Sequence, residues 1–225
     1  MNKLRFSALP AIAALAGLLA LTGQPAQAQP SAQAQSYVQQ NIEKGLQILN
    51  DRSVPDAQRR QQFRNFLLSL TDIQRIANFT LGNARRTAAP QQVQAFDQAF
   101  KDYAISIYES RLSKYSGQTL KVTGATERAA GDYVVSTTLV DPNDADSRRN
   151  PLQVDFRVQT ENGHFVIIDV AVAGVWLGIE ERDQFASFLS EHNGDVGALA
   201  RHLQGLTADL QSGKHPSDQP DNGEH

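Results

Sequence analysis

Residues 152–176 constrain this chain more than any other stretch. In its first arm Leu152, Val154, Phe156 and Val158 alternate with Gln153, Asp155, Arg157 and Gln159, the period-two pattern of a strand with one buried and one wet face. Asn162-Gly163 supplies the turn, because both residues tolerate positive φ. The second arm is apolar on both faces: Phe165, Val166, Ile167, Ile168 and Val170 are interrupted only by Asp169. A strand of that kind lies inside a sheet with cover on each side. The helical sequence before and after it is the material for that cover.

The amino terminus reads as an export signal. Lys3 and Arg5 precede an apolar run over residues 6–21, and Ala26-Gln27-Ala28 is a small-x-small cleavage pattern, so residues 1–28 are predicted to be a cleaved signal peptide. The run is shorter than the ~20 residues a membrane span requires. The absence of cysteine excludes an acylated lipoprotein anchor, disulfide stapling and thiol chemistry. Removing Lys3 and Arg5 leaves 19 basic residues against 24 acidic ones, a net charge of −5, which argues against nucleic acid as a partner. The 197 residues that follow the signal suffice for one domain with its own core.

Residues 29–35, rich in Gln, Ala, Pro and Ser, are expected to be a flexible linker, and residues 36–210 the folded domain. Val38, Ile42, Leu46 and Leu49 repeat at helical spacing after a Ser36 cap. Phe63, Phe66, Leu67 and Leu70 mark a second helix that begins near Pro55. Thr71-Asp72 can cap a short third helix carrying Ile73, Ile76 and Phe79, closed by Gly82. Pro90 opens the longest helix, with Val93, Phe96, Phe100, Tyr103, Ile107, Leu112 and Tyr115 as its apolar face. The period then changes to two: residues 120–127 and 133–140, the latter containing Leu139, read as a hairpin across Ala130-Gly131-Asp132, with Gly124 weakening the first arm. After the central hairpin come two helices, one beyond Gly178 with Phe185 and Leu189, and one capped by Asp195 with Leu199, Leu203 and Leu210. Residues 211–225 have the composition of a disordered tail. The fold class is therefore α+β: N-terminal helices, a four-stranded antiparallel twisted sheet covered by helices, and two C-terminal helices, an arrangement that resembles the NTF2-like or cystatin-like cores.

Little in the chain points to catalysis or to a cofactor. The five histidines lack the short spacings of a metal site, and no nucleophile elbow or phosphate-binding glycine loop is present. Asp169 is the exception, a carboxylate within an apolar strand. One reading makes it a general base raised by burial; the other pairs it with Arg157 across the hairpin or with a backbone amide. Among the cations, Arg85-Arg86 and Arg148-Arg149 are the candidates for contact with an anionic headgroup or a partner.

Several of these segments, taken together, resemble the MlaC family of periplasmic auxiliary proteins of phospholipid ABC transport, also called toluene-tolerance proteins. They are Leu70-Thr-Asp-Ile73 leading to Leu81-Gly82, the helix from Pro90 to Tyr115-Ser-Gly-Gln118, Val154-Asp-Phe156, Ile168-Asp169-Val170, Ala173-Gly174-Val175 and Arg182-x-x-Phe185. The resemblance covers roughly residues 36–210. It implies a periplasmic shuttle that holds a glycerophospholipid with its tails in an apolar cleft between sheet and helices, headgroup outward. Its partners would be an outer-membrane lipoprotein/porin complex and an inner-membrane ABC transporter bearing an MCE-domain protein. No cofactor is implied.

On that reading the helical wall of the cleft would use Phe66, Leu70, Ile73, Phe79, Phe96, Phe100, Tyr103 and Ile107. The sheet wall would use Leu139, Val154, Phe156, Val158, Ile168, Val170, Val172, Val175 and Trp176. Trp176 stands where the family usually has a small serine. A hopanoid or sterol-like cargo is one alternative, and an enzyme acting through Asp169 on a small apolar substrate is another.

Overall fold

The structure is a computed structural model that describes residues 30–112, 115–144 and 149–213. The expected signal peptide, Arg148 and the tail from residue 214 lie outside the described residues. Four helices, α1 (Pro30–Asn50), α2 (Asp56–Leu70), α3 (Ile73–Leu81) and the single-turn α4 (Ala84–Thr87), precede the long α5 (Pro90–Leu112). Strands β1 (Thr119–Ala129), β2 (Asp132–Val140), β3 (Gln153–Glu161), β4 (His164–Val172) and β5 (Val175–Trp176) follow, and α6 (Leu177–Glu191) and α7 (Val196–Gln211) close the domain. The sheet is antiparallel throughout, in the order β1-β2-β3-β4-β5.

Three features differ from the sequence expectation. Among the described residues the sheet has five strands rather than four: Ala173 and Gly174 both take positive φ, at 50° and 83°, which is the backbone of a two-residue hairpin turn. Val175 then pairs with Val172 and Trp176 with Ala171. Residues 30–35 belong to α1 instead of a linker; Pro30 suits the first turn of a helix, and Ala34 is fully buried against the sheet. The double-sided apolarity of β4 has a local cause. Arg157 pairs with Asp169 and Val158 with Ile167, so Ile168 is an extra residue in the ladder. A bulge of this kind shifts the alternation by one, and Ile167 and Val170 consequently both join the core on the α1 side.

The caps expected at Asp72, Asp195 and Gly82 form, whereas Ser36, expected to cap the first helix, lies inside α1 with its Oγ donating to Ala32 O at 2.9 Å. The Asp72 carboxylate accepts from Arg75 N and that of Asp195 from Ala198 N, while Gly82 ends α3 at a φ of 57°. Gly124 falls at a register shift in β1, as a weak strand position should.

The apolar residues form two clusters. In the helical one, Phe96 lies wholly buried against Phe100 and edge-on to Phe185, both with ring centroids 5.8 Å away, and α7 adds Leu199 and Leu203. In the other, Ala34 and Val38 of α1 pack on Tyr133, Val135, Val158 and Ile167 of the sheet. Helix α2 sits close on α1, because Gly45 presents no side chain: a Cβ there would lie 3.1 Å from the Phe66 ring. Ion pairs tie the layers together, Arg64 to Glu109 between α2 and α5 at 2.9 Å, and Arg75 of α3 to Glu161 of β3.

Candidate functional site

Between the two clusters the apolar surfaces face each other without filling the space. The resulting cleft, about 120 Å³ and partly open to solvent, is walled by α3, α5, β4 and the start of α6. Helix α3 supplies Ile73, Ile76 and Thr80, preceded by Thr71; α5 supplies Phe100, Tyr103, Ala104, Ile107 and Tyr108. Ile167, Asp169 and Val170 come from β4, and Leu177, Gly178 and Glu181 from α6. The spacing on α3 explains its orientation, since positions 73, 76 and 80 follow one helical face. The bulge at Ile168 does the same for β4, setting Ile167 and Val170 on one side.

Of the residues expected to contact lipid, Ile73, Phe100, Tyr103, Ile107 and Val170 line this cleft. The others do not. Phe66 lies under α1, and Phe96 and Val158 are closed into the two cores. Leu70 and Phe156 pack at the margin of the sheet cluster. Phe79 points outward at 42% exposure with the Arg182 guanidinium 5.3 Å above its ring; one position further along the turn, Thr80 takes the inward place. Leu139 is spent at the end of β2, where its N–H donates to Leu152 O. Val154, Ile168 and Val172 are half-buried strand positions away from the cleft, while Val175 is 51% exposed and Trp176 pairs on the β5 edge.

None of the described arginines of the two pairs lines the cleft. Arg85 makes a bidentate pair with Asp97 (2.8 and 2.7 Å) that fastens α4 to α5, Arg86 is exposed on α4, and Arg149 borders a shallow depression with Gly174.

The cleft residues that periodicity passed over are mostly small or polar. Thr71, Thr80, Ala104 and Gly178 carry no hydrophobic signal, and Glu181 reads as an ordinary exposed helix residue. Only Ile76 and Ile167 stood within recognised apolar patterns.

Two carboxylates meet the apolar walls. Asp169 Oδ1 accepts from its neighbour Val170 N at 2.8 Å and from Gly178 N at 3.0 Å, so it caps the beginning of α6 from the strand. Of the pairings foreseen, the backbone amides therefore hold this carboxylate directly. Arg157 turns instead to Asp132, at 3.1 and 2.7 Å. Burial pushes the Asp169 carboxyl up, against the pull of the two amides and the more distant Arg157. Gly178 suits this approach: a Cβ would sit 3.2 Å from both carboxylate oxygens, so the carboxylate would have to give by a few tenths of an ångström. Glu181 is the second. Tyr103 OH donates to its Oε1 at 3.3 Å, whereas its Oε2 is buried with no partner. Burial, aided by nearby Glu180, raises the Glu181 carboxyl to about 7. The same burial, with Glu181 beside it, pushes the Tyr103 hydroxyl up as well. Among the described residues, no three His, Asp or Glu side chains come together to hold a metal ion.

The profile of the MlaC protein family matches residues 39–205. The chain belongs to the MlaC family. Its fold is also that of a solved structure, the phospholipid-binding protein from Ralstonia solanacearum in complex with a phospholipid, at 26% identity and a TM-score of 0.66. The match covers 79% of this chain and 98% of that one. As in the expectation for the MlaC family, helices precede and follow one antiparallel sheet; the two-residue β5 is the addition. Among the described residues no helix is long and apolar enough to cross a membrane.

Proposed function

We propose that this chain is a periplasmic phospholipid carrier that takes acyl tails into the cleft between α3, α5, α6 and β4 and leaves the headgroup outside. The observation that carries the reading is the cleft itself, apolar on walls from both core clusters and partly open to solvent, in a family member whose fold is shared with a phospholipid-bound protein. Each methylene transferred from water into such a site contributes ~0.8 kcal/mol. At about 120 Å³ the volume suits a short apolar segment, since an engineered cavity of about 150 Å³ binds benzene. Loading of whole tails therefore requires the walls to part, and contact with a partner that favours the parted form would govern uptake and release.

The carrier would exchange its cargo between an outer-membrane lipoprotein/porin complex and an inner-membrane ABC transporter with an MCE-domain protein, after export through the predicted signal peptide. A carrier of this kind does no chemistry on its cargo. The role of Asp169 fits that reading, because its Oδ1 is committed to the Gly178 amide in the first turn of α6 and to the neighbouring Val170 amide.

Extraction of the purified protein and lipid mass spectrometry test the proposal. Co-purifying glycerophospholipid is expected at near one molecule per chain, and Ile107→Glu, which places a charge on the α5 wall, should lower occupancy at least tenfold while the fold persists by circular dichroism. A protein that carries no lipid and acquires none from phospholipid vesicles would refute it; a hopanoid or sterol-like lipid in the extract would redirect it.

A further inference from the structure

Glu181 is out of place in a purely apolar cleft. It lies one turn into α6, lines the cleft, receives one hydrogen bond from Tyr103, and keeps Oε2 buried without a partner. A buried polar atom left unpaired is costly unless something in the functional state completes it. Resting on the carrier reading above, we propose that Glu181 is the cleft's recognition element for an acyl ester: the neutral carboxyl donates its O–H to the ester carbonyl oxygen of the lipid, while its other oxygen keeps the bond from Tyr103.

The placement fits a lipid's own anatomy. Ester groups lie between the apolar tails and the polar headgroup, so the protein group that reads them belongs in an apolar cleft beside an opening. The neighbours favour a donor at this position. Asp169, on the β4 wall, already uses Oδ1 for two backbone amides; Tyr103 on α5 gives its proton to Glu181; α3 offers only the uncharged Thr80. Glu180 on the same helix adds a like charge, and His202 of α7 borders the adjoining surface groove together with Glu181 and Tyr103. The raised carboxyl range keeps Glu181 protonated in mildly acid solution.

The test is competition between two lipids that differ only at the linkage. Delipidated protein is offered equimolar diester and diether phosphatidylglycerol with the same chain length in mixed micelles, and the bound ratio is read by native mass spectrometry. At pH 6 the wild type is expected to prefer the diester roughly five-fold, the size of effect one neutral hydrogen bond gives, and to lose most of that preference at pH 8.5. Glu181→Gln retains an N–H donor and should prefer the diester equally at both pH values. Glu181→Leu should load the two lipids alike at both. Equal loading by wild type at pH 6, or a preference that survives in Glu181→Leu, overturns the assignment while leaving the carrier intact. If no variant loads either lipid, the carrier reading itself fails.

Discussion

The helical cluster and the cleft are built from the same kinds of residue: Phe100 and Tyr103 are buried members of the cluster that also line the cleft, and Ile73, Ile76, Ala104 and Ile107 pack against the cluster from the cleft wall. In the cluster, Phe96, Phe185, Leu199 and Leu203 close around one another until nothing is left exposed but a few per cent. In the cleft, Ile73, Ile76 and Ile107 reach toward Ile167 and Val170 and stop short. The difference lies in what stands between the large side chains. Thr80 and Ala104 line the cleft with short side chains that do not cross it, while Gly178 makes room for the Asp169 carboxylate. Apolar residues thus specify which faces turn inward, and small residues opposite them decide whether the inside is solid.

That contrast can be broken by substitution. Phe96→Ala should be the largest effect, about 3–5 kcal/mol of stability, because it empties a closed core site; denaturant unfolding measures it, and lipid occupancy per folded molecule should not change. Glu181→Gln comes next and depends on pH. With the folded carboxyl at about 7 against an ordinary 4.5, the proton it retains stabilises the fold below 4.5, and that contribution is lost as pH rises through 7. The variant should therefore gain roughly 2 kcal/mol over wild type at pH 8 and little at pH 5, seen as a widening gap in Tm. Ile107→Ala should be the mildest, about 1 kcal/mol, since truncation enlarges space that is already open rather than creating a void. If Phe96→Ala and Ile107→Ala prove equally costly, the distinction between solid core and cleft is wrong.

The order of elements was legible in the sequence because it rests on signals with local causes. Asp72, Asp195 and Gly82 mark helix ends through their own side-chain or backbone chemistry, and Asn162-Gly163 marks its turn with φ values of 50° and 80°. The site was less legible. Hydrophobic periodicity selected Phe66, Phe96 and Val158 as readily as Ile73 and Ile107, because a packed core and a cleft wall demand the same burial. It also assigned Phe79 inward, where a shift of one residue along α3 places Thr80 instead. The bulge at Ile168 and the hairpin at Ala173-Gly174 escaped notice for a different reason: both depend on pairing with another strand segment, which no local pattern encodes.

The extra residue in β4 carries a consequence for the whole enclosure. Because Ile168 turns the strand out of step, the side chains at 167 and 170 line the greasy wall while the carboxylate between them is free to hook the first turn of α6. Strand and helix are thereby joined through one carboxylate, as α3 is joined to β3 by the Arg75–Glu161 pair, so the walls of the cleft are fastened at more than one seam.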